Sequence, residues 1–314
     1  MKYMITGAAG FIGSHVCTEL LANGHDVVAI DAFNDYYSPA LKRDNAGSLD
    51  DNGHITWVEE DLLFCDLDRL FDGADAVIHL AGQPGVRLSW DRHFDVYVER
   101  NITASQRVLE AARRTNMPRV VLASSSSVYG NAPSYPTTET SPTRPFSPYG
   151  VTKLAMEQLA WSYADNWNVP VVALRYFTVY GPRQRPDMGM HKFISKVARG
   201  EPVQLFGDGQ QIRDFTYVSD VVAATIRAAT LEVPTPSVLN VAGGSSTTVN
   251  EVLRLVGEYV GRDVIVHRVP EQPGDVRVTG GVIDRARRML DWSPAVPLAE
   301  GIKRQLLHQL HGSE

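Results

Sequence analysis

Lys2-Tyr-Met-Ile-Thr6, followed by Gly7-Ala8-Ala9-Gly10-Phe11-Ile12-Gly13, opens the chain, and the reading of that stretch decides the fold. A short apolar run passes through three glycines into a segment where Ile12, Val16 and Leu20 recur every fourth residue, with Cys17 and Leu21 beside them. The change of period across the glycines predicts strand, tight turn and helix. Asn23-Gly24 closes the helix, since both residue types tolerate the left-handed backbone of a helix end. A second β-rich run, Asp26–Asp31, comes next.

Glycines in such a turn let the backbone approach a pyrophosphate and let the helix pack closely on the sheet. The helix N-terminus then presents free N–H groups and a positive dipole end. The second run ends in Asp31, about twenty residues further on, where a carboxylate can hold the ribose hydroxyls of an adenosine. It would repel a 2′-phosphate, so the segment predicts a site for NAD rather than NADP. Asp61-Leu62, after another strand-like run, can receive the adenine, and the small residues of Leu80-Ala81-Gly82 leave room for the dinucleotide. Each of these two segments also reads as ordinary loop chemistry when taken alone.

Further strands are expected at Ala76–Leu80, Val120–Ser124, Val171–Tyr176 and Val238–Ala242. They are nearly continuous apolar runs alternating with helical patterns, as in a parallel sheet covered on both faces. The fold class is therefore α/β, a doubly wound parallel sheet. After about Tyr176 glycine and proline become frequent, as in Gly181-Pro182, Gly207-Asp208-Gly209 and Gln272-Pro273-Gly274. This predicts a smaller, mixed α/β substrate-binding lobe. Residues 1–175 and about 213–242 are assigned to the dinucleotide-binding domain, and residues 176–212 and 243–314 to the lobe.

The 314 residues are 44% apolar and 21% charged, with a net charge of −6 and no basic block, which argues against nucleic acid or an anionic membrane as the main partner. No signal-peptide pattern or membrane-length apolar window is seen. Two cysteines, Cys17 and Cys65, are too few for a disulfide framework or a zinc site, so no metal is expected. A reducing, cytoplasmic setting fits these features.

Tyr149 and Lys153 stand four residues apart at the start of a helical pattern, hence on one face. An ammonium beside a phenol, with a cationic nicotinamide nearby, favours the phenolate and lowers its pKa toward neutrality, making it a usable general base for a substrate hydroxyl. The pair gains weight from Ser124-Ser125-Ser126-Ser127, which is expected to follow the fifth strand directly. A hydroxyl there can bond the same reacting oxygen, although a serine run also reads as a polar loop.

These motifs resemble the extended short-chain dehydrogenase/reductases, and within them the nucleotide-sugar epimerases. The resemblance covers essentially the whole chain. It rests on GAAGFIG (7–13), SSSSVYG (124–130), Tyr149-xxx-Lys153, LRYFTVYGPRQRPDM (174–188) and GDGQQIRDFTYVSDVV (207–222). DAFNDYYSPALKRDNA (31–46), AGQPGVR (81–87) and EQPGDV (271–276) resemble, more narrowly, the UDP-glucuronate 4-epimerases.

The resemblance implies a Rossmann domain holding a tightly bound, unconsumed NAD. The implied contacts are Gly7, Gly10, Phe11, Ile12, Gly13, Asp31, Asn34, Lys42, Asp61, Leu62, Leu80, Ala81, Gly82, Asn101, Ser124, Tyr149, Lys153 and Tyr176. It further implies that Tyr149 takes the proton of the sugar 4-hydroxyl while hydride leaves carbon 4 and later returns to the other face. Lys153 would tune the tyrosine and hold the nicotinamide ribose, and Ser125 or Ser126 would assist. Related dehydratases and decarboxylases carry acidic residues just before Val-Tyr-Gly, where this chain has Ser126 and Ser127, so epimerisation is the better reading.

A 4-keto uronate is a β-keto acid, so its carboxylate must be held out of line with the carbonyl. Arg185 has the bidentate shape for this, with Thr178 adding a hydroxyl. Arg185 also reads as a loop cation or a partner for Asp187. Arg213 and Asp275 are assigned to the diphosphate and a ribose hydroxyl, and Arg87 to phosphate or sugar or to a surface ion pair. Thr279 falls where pocket size is set, and Gly281-Val282 departs from the Ala-Asp usual in relatives. UDP-glucose or UDP-N-acetylglucosamine 4-epimerisation stays open, as do a dehydratase or decarboxylase and a non-catalytic NAD-binding protein. A homodimer is expected through Asn101–Thr115, with Ile102, Val108 and Leu109 along one side, and the Tyr149 helix, although that side also reads as an ordinary core-facing stripe.

Overall fold

A computed structural model describes residues 1–49 and 53–311. The first half runs β1 (Lys2–Thr6), α1 (Phe11–Ala22), β2 (Asp26–Ile30), α2 (Pro39–Gly47), β3 (Ile55–Val58), α3 (Leu67–Phe71) and β4 (Ala76–His79). It continues with α4 (Phe94–Tyr97), a π-helical stretch over Val98–Thr103, α5 (Ala104–Arg114), β5 (Arg119–Ser125), α6 (Pro148–Trp167) and β6 (Val171–Tyr176). Then follow β7 (Thr178–Tyr180), α7 (Gly189–Ala198), β8 (Val203–Phe206), β9 (Ile212–Tyr217), α8 (Val218–Thr230) and β10 (Ser237–Val241). The chain closes with β11 (Ser246–Thr248), α9 (Val249–Val260), β12 (Val266–Val269), α10 (Asp284–Leu290) and α11 (Leu298–His311).

Seven strands pair in parallel in the order β10-β6-β5-β4-β1-β2-β3. Strand side chains alternate between two cores. Tyr3, Ile5, Ile78, Val121 and Leu174 enter one with Val16, Leu20, Val221 and Ala224, while Met4, Val77, Leu122 and Ala173 enter the other with Val108, Leu109, Met156 and Ala160. This two-residue period explains the unbroken apolar runs, since neither face of the sheet meets water. The doubly wound sheet is therefore present, and the six expected strands match to within a residue at each end.

Two small sheets, β11-β9-β7 and β12-β8, belong to the lobe. Residues 213–217, assigned by sequence to the dinucleotide-binding domain, lie in β9 of the first small sheet, and the chain returns to the large sheet with α8. One further expectation needs correction: Ser124 and Ser125 end β5 instead of following it. Of the two readings open for Val108 and Leu109, the structure takes the core-facing one, since both are fully buried in the chain's own core.

Candidate functional site

The strand order reverses between β1 and β4, and ligands of open α/β sheets bind beyond the carboxyl ends of the strands at such a point. A cavity of about 480 Å³ lies there. Its walls include the whole Gly7–Gly13 turn apart from Ala8 and Ala9, together with Asp31, Asn34, Lys42, Asp61, Leu62, Leu80, Ala81, Gly82, Tyr176 and Thr178. Ser124, Ser125, Ser126, Tyr149, Lys153 and Arg185 share the same walls. Arg87, Arg213, Asp275 and Asn101 are not among them.

At the turn, a Cβ on Gly13 would stand 2.1 Å from Gly7 O, so only glycine lets α1 begin this close to the strand end. Gly7 itself takes φ +71°. Asp31 braces the turn: its Oδ2 accepts from Ala9 N at 3.1 Å and its Oδ1 from Phe33 N at 2.8 Å. Lys42 Nζ lies 3.5 Å from Asp31 Oδ1 and donates to Asn34 Oδ1 at 3.0 Å. Asp61 Oδ1 accepts from Leu63 N at 2.9 Å.

The Tyr37 hydroxyl, also on the cavity wall, is buried without a hydrogen-bond partner in the structure. A buried polar atom left unpaired is costly, and the orphan points to a ligand group. The glycine cradle, the carboxylate at the end of β2 and this orphaned donor fit a dinucleotide. Asn101 sits behind the wall in the π-helical stretch, where its Oδ1 accepts from Gln83 N at 2.7 Å and its Nδ2 donates to Thr152 Oγ1 at 2.9 Å. It shapes the loop after β4, and π-bulges of this kind recur at functional sites.

α6 begins at Ser147, whose Oγ accepts from Gly150 N at 3.2 Å, with Pro148 in the first turn. A Cβ on Gly150 would meet Ser127 O at 2.6 Å, so this glycine allows the helix start to press against the end of β5. That approach brings Tyr149 to Ser125, the serine whose hydroxyl acts to hold the phenol pKa down. Lys153 Nζ donates to Ala123 O at 2.8 Å. Burial lowers the Lys153 pKa to about 8, with Glu157 acting against the fall. Burial raises the Tyr149 pKa, opposed by the Ser125 hydrogen bond and by the charge of Arg185, while Lys153 is engaged with a carbonyl one turn away.

Arg185 takes the Asp187 pairing that the sequence offered and also stands on the cavity wall. Its Nε and Nη2 hold Asp187 Oδ1 and Oδ2 at 2.9 and 3.1 Å. The Tyr36 hydroxyl donates to the same carboxylate at 3.2 Å. Arg87, Arg213 and Asp275 gather outside the cavity wall. Arg87 Nη2 bonds Asp275 Oδ2 at 2.8 Å and its guanidinium lies 3.8 Å over the Phe206 ring, while Arg213 feels the charges of Asp275 and Arg87. Thr279 Oγ1 accepts from Asp214 N at 3.3 Å, so its hydroxyl is engaged. The departure at Gly281 has a steric cause, since a Cβ would stand 2.6 Å from the Phe177 ring.

Sequence reasoning missed Tyr36, Tyr37 and Phe206. The first two lie inside the quoted DAFNDYYSPALKRDNA, two to three residues beyond Asn34, and the loop direction that turns them inward is tertiary.

The chain matches the NAD dependent epimerase/dehydratase family over residues 3–242. It is 41% identical over 309 residues, 98% of each chain, to an uncharacterized UDP-glucose epimerase of Bacillus subtilis. It is 39% identical to the UDP-glucuronic acid 4-epimerase of Bacillus cereus, solved with UDP-glucuronic acid and NAD, with a TM-score of 0.96 over 98% of this chain and 99% of that one. MoeE5, solved with UDP-glucose and NAD, is 41% identical with a TM-score of 0.88 over 98% and 97%.

Proposed function

The chain belongs to the NAD dependent epimerase/dehydratase family, and from that premise we propose that it is a UDP-sugar 4-epimerase whose preferred substrate is UDP-glucuronate, interconverted with UDP-galacturonate. The observation that supports this most is one cavity combining the glycine turn, Ser125, Tyr149 and Lys153 with Arg185. The turn would hold the pyrophosphate, Asp31 the adenosine ribose, and Lys153 the nicotinamide ribose. Bound there, NAD supplies the hydride acceptor and donor and ends as it began.

Tyr149 takes the proton from the sugar 4-hydroxyl and returns it, and Ser125 donates to the same oxygen. Since burial pushes the phenol up, a charged Lys153 on the same helix face is needed to favour the phenolate. Ser126 and Ser127 have no acid–base group near neutrality, so an elimination has no second proton shuttle there. Arg185, with Thr178 and Ser126, holds the sugar carboxylate out of line with the 4-carbonyl. Arg87, Arg213 and Asp275 take the nucleotide diphosphate end.

A second reading, a neutral UDP-hexose, is favoured by the Arg185–Asp187 pair, which leaves the guanidinium partly compensated. Incubating the NAD-loaded enzyme with UDP-glucuronate, UDP-glucose and UDP-N-acetylglucosamine decides between them. Faster turnover of UDP-glucose would overturn the uronate assignment, and no turnover of any of the three would overturn the 4-epimerase reading. A homodimer through α5 and α6 is supported by Val151 and Trp167 of α6, which are about half exposed. Light scattering giving a mass near 34.6 kDa would refute it.

A further inference from the structure

The helix face that carries Tyr149 and Lys153 continues one turn to Glu157, which is completely buried. Its Oε1 accepts from Ser124 Oγ at 2.5 Å and from Arg175 Nε at 2.9 Å, and its Oε2 accepts from Arg175 Nη2 at 2.7 Å. Arg175 Nη1 donates onward to the Tyr129 hydroxyl at 2.9 Å, which donates to Asn240 Oδ1 at 2.6 Å. Asn240 Nδ2 then reaches the carbonyls of Thr137 and Val282 at 3.1 and 3.2 Å. The network thus ties α6 and the end of β5 to β6, β10 and the segment that leads from Asp275 into α10.

A buried ion pair is poor cement. Apolar residues of similar volume often hold the same elements at least as well, because both charges lose their hydration. An anion kept in a dry wall one helix turn below the site's ammonium points to work on that ammonium. We propose that Glu157 is a positioning residue for the reaction: its carboxylate keeps Lys153 charged inside the cavity wall and, through Ser124, sets the end of β5 that presents Ser125.

The groups around Lys153 agree with this. Tyr149 shares its helix face, and His79 on β4 is buried, neutral and held near 3 by burial and by Lys153. The Ser124 and Ser125 hydroxyls end β5, Arg175 on β6 lies behind Glu157, and Arg185 acts on Tyr149 from the lobe. Of these groups Glu157 is the one anion, and it opposes the burial that pulls Lys153 down to about 8. Removing its charge also leaves Arg175 uncompensated in the same region, so Lys153 gives up its proton at lower pH.

The test uses the NAD-loaded enzyme and three variants: Glu157→Gln, Glu157→Asp, and Glu157→Gln combined with Arg175→Met. The double variant removes both buried charges, which folded proteins tolerate better than one orphaned charge. Two readouts are taken: the pH dependence of kcat and KM for UDP-sugar interconversion, and the NAD retained after gel filtration at pH 7 and pH 9. Wild-type kcat should fall as pH rises through about 8. In Glu157→Gln that fall should begin about one pH unit lower, with kcat at pH 8 down about tenfold and KM within about twofold, and in the double variant, which also removes the Arg175 charge, the shift should be in the same direction but smaller. Glu157→Gln should also lose more NAD at pH 9 than the wild type does. Glu157→Asp keeps the charge and should recover much of the wild-type profile. A folded Glu157→Gln with an unmoved alkaline limb, or a double variant shifted as far as the single one, would overturn the proposal, however its thermal stability had changed.

Discussion

The two ends of the ligand-binding region are built in opposite ways. On the proposed reading the dinucleotide end centres on one unbroken stretch from Gly7 to Asp31, and the geometry there is backbone geometry: a glycine turn, a helix start and a strand end that carries Asp31 to Ala9 N. The proposed sugar-nucleotide end is collected from four places along the chain, at Arg87, Arg185 with Asp187, Arg213 and Asp275, where Arg87 pairs with Asp275 and Arg185 with Asp187. The difference teaches where specificity can change. A site made by backbone tolerates little alteration, whereas a site made of mutually paired side chains can be retuned one charge at a time. The relatives solved with UDP-glucuronic acid or UDP-glucose over the same fold fit that contrast.

The largest expected effect falls where the two ends meet. Tyr149→Phe should lower kcat about a thousandfold while KM and bound NAD stay near wild type, because only the proton relay is lost. Steady-state kinetics with NAD quantified after denaturation checks it, and unchanged kcat would remove Tyr149 from its role. Next comes the backbone end. Gly13→Ala forces a Cβ against Gly7 O and should cost about 1–3 kcal/mol of stability together with most of the retained NAD. Calorimetry and the absorbance of released cofactor read both.

At the side-chain end the losses should be selective. Arg185→Ala should reduce kcat/KM for UDP-glucuronate about thirtyfold or more and that for UDP-glucose by far less, since truncating one partner of a buried charged contact costs about 2–5 kcal/mol. Equal losses on both sugars would show that Arg185 does not read the carboxylate. Arg87→Ala should raise KM several-fold without touching NAD retention, and its effect on thermal stability should be small because the Arg87–Asp275 pair is half-exposed.

The last effect concerns acid and lies outside both ends. His79 is buried and neutral, bonded to Thr6 Oγ1 at 2.7 Å and to Ser105 Oγ at 3.0 Å, with its pKa lowered from 6.5 to about 3 by burial. The unfolded chain therefore binds a proton that the folded chain refuses between these values. Stability should fall as pH drops from 6.5 toward 3, by up to about 1.4 kcal/mol per pH unit from this group. Denaturant titrations at pH 7, 6 and 5 would show it, and a flatter slope in His79→Gln would assign it.

Much of the fold was legible because it is written in period and punctuation. Continuous apolar runs named six parallel strands, and Gly7–Gly13 with Asn23-Gly24 framed α1. The helix start at Tyr149 was legible from spacing alone. Other features were not. Val108 and Leu109 look the same in sequence whether they face a partner or the core, and three-dimensional packing put them in the core. The lowering expected of the Tyr149 pKa rests on the Lys153 ammonium together with a cationic nicotinamide, and how the chain's own groups act on the phenol was not legible. In the structure Lys153 spends its ammonium on Ala123 O, and burial dominates the phenol.

By itself the sequence determined the strand–turn–helix unit, the parallel sheet, and the placing of Tyr149 and Lys153 on one face. All of these follow from local backbone preferences and from side-chain period. Tertiary structure decided that Ser125 comes to Tyr149, that Ser124 and Arg175 take the Glu157 oxygens, and that Arg87 pairs with Asp275. The reason is physical. Hydrogen bonds and charge pairing in a dry wall depend on distances of about 3 Å between residues remote in the chain, and residue identity and spacing along one chain do not specify such distances.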